Sequence, residues 1–186
     1  HFLRLLFVKL GTQYCPDCDV AIEPRSEAAI VDLLLRRHRG QTVQVLAPLV
    51  VARKGLYTEL ARWARGKGYE SLRVDGKATP TRPWPRLDRY REHSIELPVA
   101  TLTVGARQEA ELRAAVATAL GHGKGVLQVL PAGAAAAEVY SSKRACPRCG
   151  TGYPEPDPRL FSFNSRQGWC TSCYGTGLEV ESIDEE

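Results

Sequence analysis

Six cysteines arranged as three C-x-x-C pairs constrain this 186-residue chain more than any other feature: Cys15 with Cys18, Cys146 with Cys149, and Cys170 with Cys173. Disulfide frameworks rarely use that one spacing alone, and the domains that depend on them are usually shorter, so the pairs point to thiolates in a reducing compartment. "CPRCG" and "CTSCYGTG" leave twenty residues between Cys149 and Cys170, the interval of a four-thiolate zinc site. Each C-x-x-C forms a tight knuckle whose two sulfurs reach adjacent corners of a tetrahedron, about 2.3 Å from the metal. The expected ligands of one structural zinc are therefore Cys146, Cys149, Cys170 and Cys173, with Gly150, Gly175 and Gly177 letting the backbone turn back at positive φ. A thioredoxin-like redox pair fits less well, because it needs one C-x-x-C at a helix start after a strand. The first pair, in "YCPDCDV", has no evident further ligands nearby. His1, His38, His93 and His122 fall in unrelated elements, and Cys15 and Cys18 read as a structural turn.

Hydrophobic periodicity organises the stretch between the first and second pairs. "HFLRLLFVKLG" reads as a strand. "RSEAAIVDLLLRRH" places Ala29, Ile30, Leu33 and Leu34 at helical spacing, with Ser26 as N-cap and Gly40 past the end. "TVQVLAPLVV" is a buried strand interrupted near Pro48. A second helix carries Leu56, Leu60, Trp63 and Ala64, and "YESLRVDGK" alternates into Asp75-Gly76, a hairpin turn. "ATPTRPWPR" is a loop or edge excursion. "HSIELPVATLTV" is a long strand, "RQEAELRAAVATALGHG" the clearest helix and "GVLQVL" a short buried strand. This pattern predicts an α+β fold with a mixed sheet covered by helices, followed by a small four-cysteine zinc module. After Tyr140 the composition turns to Pro, Gly, Cys and Arg, too poor in apolar residues for a core without a metal staple, and the acidic tail "EVESIDEE" reads as frayed.

No run of 18 or more apolar residues occurs, so no segment reads as a bilayer span. Twenty-five basic against 21 acidic residues give a net charge of +4, which permits an acidic partner or nucleic acid without demanding either. The chain contains no Met and opens directly on an apolar run, as an excised piece of a longer protein would. Arg53 and Lys54 follow a strand, and Arg73, Asp75 and Lys77 lie on or beside the hairpin. Such charges form either a solvated face or a charged docking surface. "DPRLFSFNSRQGW" interleaves arginines with aromatics; Phe161 and Phe163 read as packing, and Arg159 and Arg166 as candidate phosphate contacts. No nucleotide-binding loop, nucleophile elbow or metalloprotease motif is present, so the chain reads as non-enzymatic on its own.

Taken in order, "LGTQYCPDCDVAI", "LAPLVVARKGLY", "LRVDGK", "EHSIEL", "ACPRCG" and "PEPDPRLFSFNSRQGWCTSCYGTG" resemble the UvrA family, damage-sensing ATPase subunits of bacterial nucleotide excision repair. The resemblance implies that residues 1–14 end the first ATP-binding domain, 15–140 form the UvrB-binding domain, and 141–186 are a zinc module opening the first signature domain. It implies the same four zinc ligands, with Arg53, Lys54, Arg73, Asp75 and Lys77 in or near the region that meets UvrB and the transcription-repair coupling factor as a further partner. It also implies that ATP binds only in the full-length parent, in the cytoplasm. The family usually carries Glu where this chain has Leu56 and Lys77, which suits a divergent member or paralogue. The alternative is a zinc-ribbon nucleic-acid binder on an α+β scaffold. A DnaJ-type zinc domain repeats C-x-x-C-x-G-x-G four times, against one full copy here.

Overall fold

The computed structural model describes residues 2–146, 148–149 and 151–178. Ile22–Pro154 forms one compact unit, and the described residues on either side of it form a second.

The larger unit is built on two long antiparallel strands, β1 (Thr42–Lys54) and β4 (Glu92–Thr103), which pair along nearly their whole length. A hairpin of β2 (Ser71–Val74) and β3 (Lys77–Pro80) extends the sheet beside β4, while β5 (Val126–Pro131) and β6 (Glu138–Ser141) extend it beside β1. The six-stranded order is β3-β2-β4-β1-β5-β6. The α+β class is as the sequence predicts, but every described pairing between these strands is antiparallel, so the sheet is not mixed.

Alternation fixes which residues face inward. Val43, Val45 and Ala47 of β1, Ile95 and Leu97 of β4, Leu72 and Val74 of β2, and Leu127 and Val129 of β5 are buried in one cluster. Against them pack Ile30, Val31 and Leu34 of α2 (Glu27–Arg37) and Leu112, Val116 and Ala119 of α4 (Glu109–His122). A shorter helix, α3 (Thr58–Gly66), buries Ala61 and Ala64.

β1 runs on past Pro48, but its pairing with β4 shifts register between Pro48 and Val50, so the interruption expected near Pro48 is an irregularity in the ladder rather than a strand end. β5 pairs only with Val43–Leu46, so at Pro48 the strand is paired on the β4 side alone. A residue without an N–H costs least in that setting. Pro98 is placed the same way, since β2 pairs with β4 only at Ile95 and Glu96.

In the second unit, residues 2–10 are a helix, α1 (Phe2–Leu10), not the expected strand. Leu3, Leu6, Phe7 and Leu10 recur at i, i+3, i+4 and i+7, a helical stripe easily missed in a segment whose only polar residues are Arg4 and Lys9. Phe7 stacks on Phe161, ring centroids 5.6 Å apart. A 3-10 turn (Pro158–Phe161) starts at Asp157, whose Oδ1 accepts from the Arg159 N–H at 2.9 Å. Among the described residues no helix is long and apolar enough to cross a membrane.

Candidate metal centre and docking face

Two C-x-x-C segments lie close in sequence to a backbone bridge, Cys15 and Cys18 before Glu23 and Cys146 and Cys149 after Ala145. Glu23 and Ala145 exchange both hydrogen bonds, at 2.9 and 2.8 Å, and a knuckle lies a few residues from each partner. In the first, the Cys15 N–H donates to Val20 O and the Asp19 N–H to Cys15 O, both at 2.9 Å, with Asp19 at φ 51°. In the second, the Cys149 N–H donates to Cys146 Sγ at 3.4 Å and the Cys146 N–H to Thr151 O at 2.9 Å. The ligand atoms of Cys15, Cys18, Cys146 and Cys149 all lie within 4.8 Å of one another, and Cys15 and Cys146 are buried. A tetrahedron with metal–sulfur bonds of about 2.3 Å has edges of about 3.8 Å, so the donor set and its spread fit one tetrathiolate ion.

The group shares Cys146 and Cys149 with the quartet that the spacing predicts; its other members are Cys15 and Cys18, which the sequence alone reads as a turn. Cys170 and Cys173 form a knuckle outside it. Its Tyr174 N–H donates to Cys170 O at 2.8 Å, and Tyr174 and Gly175 take φ 49° and 84°. A Cβ on Gly175 would stand 1.7 Å from Phe163 O, so only glycine fits. The Cys173 and Ser172 backbone N–H groups hold the exposed Cys170 thiol below its usual value. Gly150, His1 and the acidic tail lie outside the described residues.

The five candidate docking residues fall at one end of the large sheet. Arg53 and Lys54 end β1, exposed, opposite His93 and Glu92 of β4. The β2–β3 turn comes to the same end, with Asp75 at φ 48° and Gly76 at φ 82°, two consecutive left-handed residues as the Asp-Gly dipeptide predicts. Asp75 Oδ2 meets His93 Nδ1 at 2.7 Å, and its Oδ1 accepts from the Ser94 N–H at 2.8 Å. Burial pushes the Asp75 carboxyl up, but these hydrogen bonds outweigh it and hold the group below its usual value. Arg73 pairs across strands with Glu96 at 2.6 Å, both side chains mostly buried. Arg73 and Asp75 thus hold the edge together, whereas Arg53, Lys54 and Lys77 are exposed.

Arg159 and Arg166, the candidate phosphate contacts, differ in setting. Arg159 NH2 lies 3.0 Å from Asp157 Oδ2, whereas Arg166 is exposed.

The UvrA interaction domain family matches residues 25–133, more than half of the chain. This chain belongs to that family. It is 37% identical to UvrABC system protein A of Thermus thermophilus over 97% of its own length, 38% identical to that of Streptomyces coelicolor over all of it, and 35% identical to that of Deinococcus radiodurans over 99%. In each case it covers 19% of the relative, so the chain spans about a fifth of the length of the curated relatives it matches. The matched span holds the whole docking edge and ends before the second knuckle.

Proposed function

We propose that this chain is the partner-docking module of a UvrA protein of nucleotide excision repair, that it docks UvrB, and that it is not an enzyme on its own. The observation that carries this reading is the membership of residues 25–133 in an interaction-domain family. The convergence of Arg53, Lys54 and Lys77 on one sheet end supports it, because an exposed cationic edge steers an acidic partner and fixes its register. The transcription-repair coupling factor is a second ligand for the same edge. ATP belongs to the parent protein, whose place is the cytoplasm. Zinc is the metal of the Cys15, Cys18, Cys146 and Cys149 group; four thiolates select it over oxygen-seeking ions, and when bound it supplies folding energy rather than catalysis.

Calorimetric titration against purified UvrB tests the docking reading. The expected result is saturable 1:1 binding that weakens with salt and falls roughly tenfold or more when Arg53→Glu and Lys77→Glu reverse the edge. Unchanged affinity in both variants would place the interface elsewhere, and absence of binding to the unaltered chain would overturn the reading.

A further inference from the structure

Residues 81–91, "TRPWPRLDRYR", carry Arg82, Arg86, Arg89 and Arg91 between and around Trp84 and Tyr90. Hydrogen bonds within the segment and to its neighbours fix its middle. Trp84 Nε1 donates to Leu56 O at 3.1 Å, Asp88 Oδ1 accepts from the Tyr90 N–H at 2.8 Å, and His93 Nε2 meets Asp88 O at 2.9 Å. Leu56, Arg86, Leu87, Asp88, Arg89 and Tyr90 line an open groove there. The Arg89 guanidinium lies over the Tyr90 ring, 4.6 Å from its centroid, yet Tyr90 remains 68% exposed. Four arginines in this stretch face one acid, Asp88, whose Oδ1 already serves as a turn cap.

We propose that this groove binds single-stranded nucleic acid, with a base stacked on Tyr90 and Arg86 and Arg89 on the flanking phosphates. Every base offers a π-face to an exposed ring, and a guanidinium on such a ring adds cation–π attraction. The guanidinium fork also matches phosphate oxygens bidentately. An acidic polypeptide would satisfy the charges but leave the ring unused, which is why a nucleic-acid strand is the better occupant. The groove adjoins the docking edge through His93, which meets both Asp75 and Asp88 O, but the proposal uses Tyr90, Arg86 and Arg89 and does not rest on the docking of UvrB.

Fluorescence anisotropy with labelled oligothymidine, read at low and at physiological salt, tests the proposal on the whole chain. Tyr90→Ala is expected to weaken binding roughly 5- to 100-fold, and Tyr90→Phe to keep it, as stacking requires. Arg86→Glu with Arg89→Glu is expected to weaken it further and to flatten the log–log salt slope by about 0.7 for each phosphate no longer neutralised. Melting curves of each variant confirm folding. No binding at low salt overturns the proposal. So does a Tyr90→Ala affinity equal to that of the unaltered chain, equal displacement of oligothymidine by polyglutamate, or abolition of binding by Arg166→Ala instead.

Discussion

At the residue scale, two of the proposed docking residues, Arg73 and Asp75, also brace the sheet edge. Arg73 and Glu96 face each other across β2 and β4 with side chains 19% and 13% exposed. Removing the arginine leaves a mostly buried carboxylate without its ion-pair partner, between the roughly 0–1 kcal/mol of an exposed pair and the roughly 3–5 of a fully buried one. Arg73→Ala should therefore lower unfolding free energy by about 2 kcal/mol in a denaturant titration, and Glu96→Gln added to it should restore part of the deficit. Asp75 gives a pH-dependent counterpart. Its carboxyl sits below the ordinary value, so its stabilisation is fully present above about pH 4, the unfolded-state value, and disappears as pH falls through the folded value. The stability difference between the natural chain and Asp75→Asn should be largest near neutrality and shrink below about pH 4; a difference constant across that range would assign Asp75 a purely steric role. The sequence shows these residues as charges near a hairpin. It does not show their partners, because Glu96 and His93 reach them only through the register of β4.

At the element scale, legibility follows the length and contrast of the local pattern. The α2 helix is explicit: Ser26 Oγ accepts from the Ala29 N–H at 3.2 Å, as the N-cap position predicts. Ser26→Ala should cost about 1 kcal/mol and Ser26→Asp little, both read as shifts in melting temperature. If Ser26→Ala melts with the natural chain, the cap is absent in solution. The Asp-Gly hairpin is equally readable, because two successive positive-φ positions leave few residue choices. By contrast α1 is apolar nearly all round and buries none of its residues, so no polar face marks its period. Pro48 marks a register shift rather than a strand end, because a proline is tolerated where its own side of the strand is unpaired, and pairing partners are a property of the sheet.

At the scale of the whole molecule, the metal quartet is where sequence distance and spatial distance part. The spacing rule counts residues between neighbouring knuckles, and it joins Cys146 and Cys149 to Cys170 and Cys173. It does not consider a knuckle far away in the sequence, such as Cys15 and Cys18, which among the described residues group with Cys146 and Cys149. A metal there would close a loop of more than about 100 residues, and closing a loop of that size is worth on the order of 4–5 kcal/mol in the chain-entropy picture. Substitution separates the two quartets. Under the assembled geometry the chain should carry one zinc by elemental analysis. Cys15→Ser with Cys18→Ser should remove it and lower the melting temperature, as a chelator does to the natural chain, whereas Cys170→Ser with Cys173→Ser should leave both metal content and melting unchanged. The reverse pattern, zinc retained without Cys15 and Cys18 but absent without Cys170 and Cys173, would restore the quartet that spacing predicts and leave the first knuckle a turn held by its own hydrogen bonds.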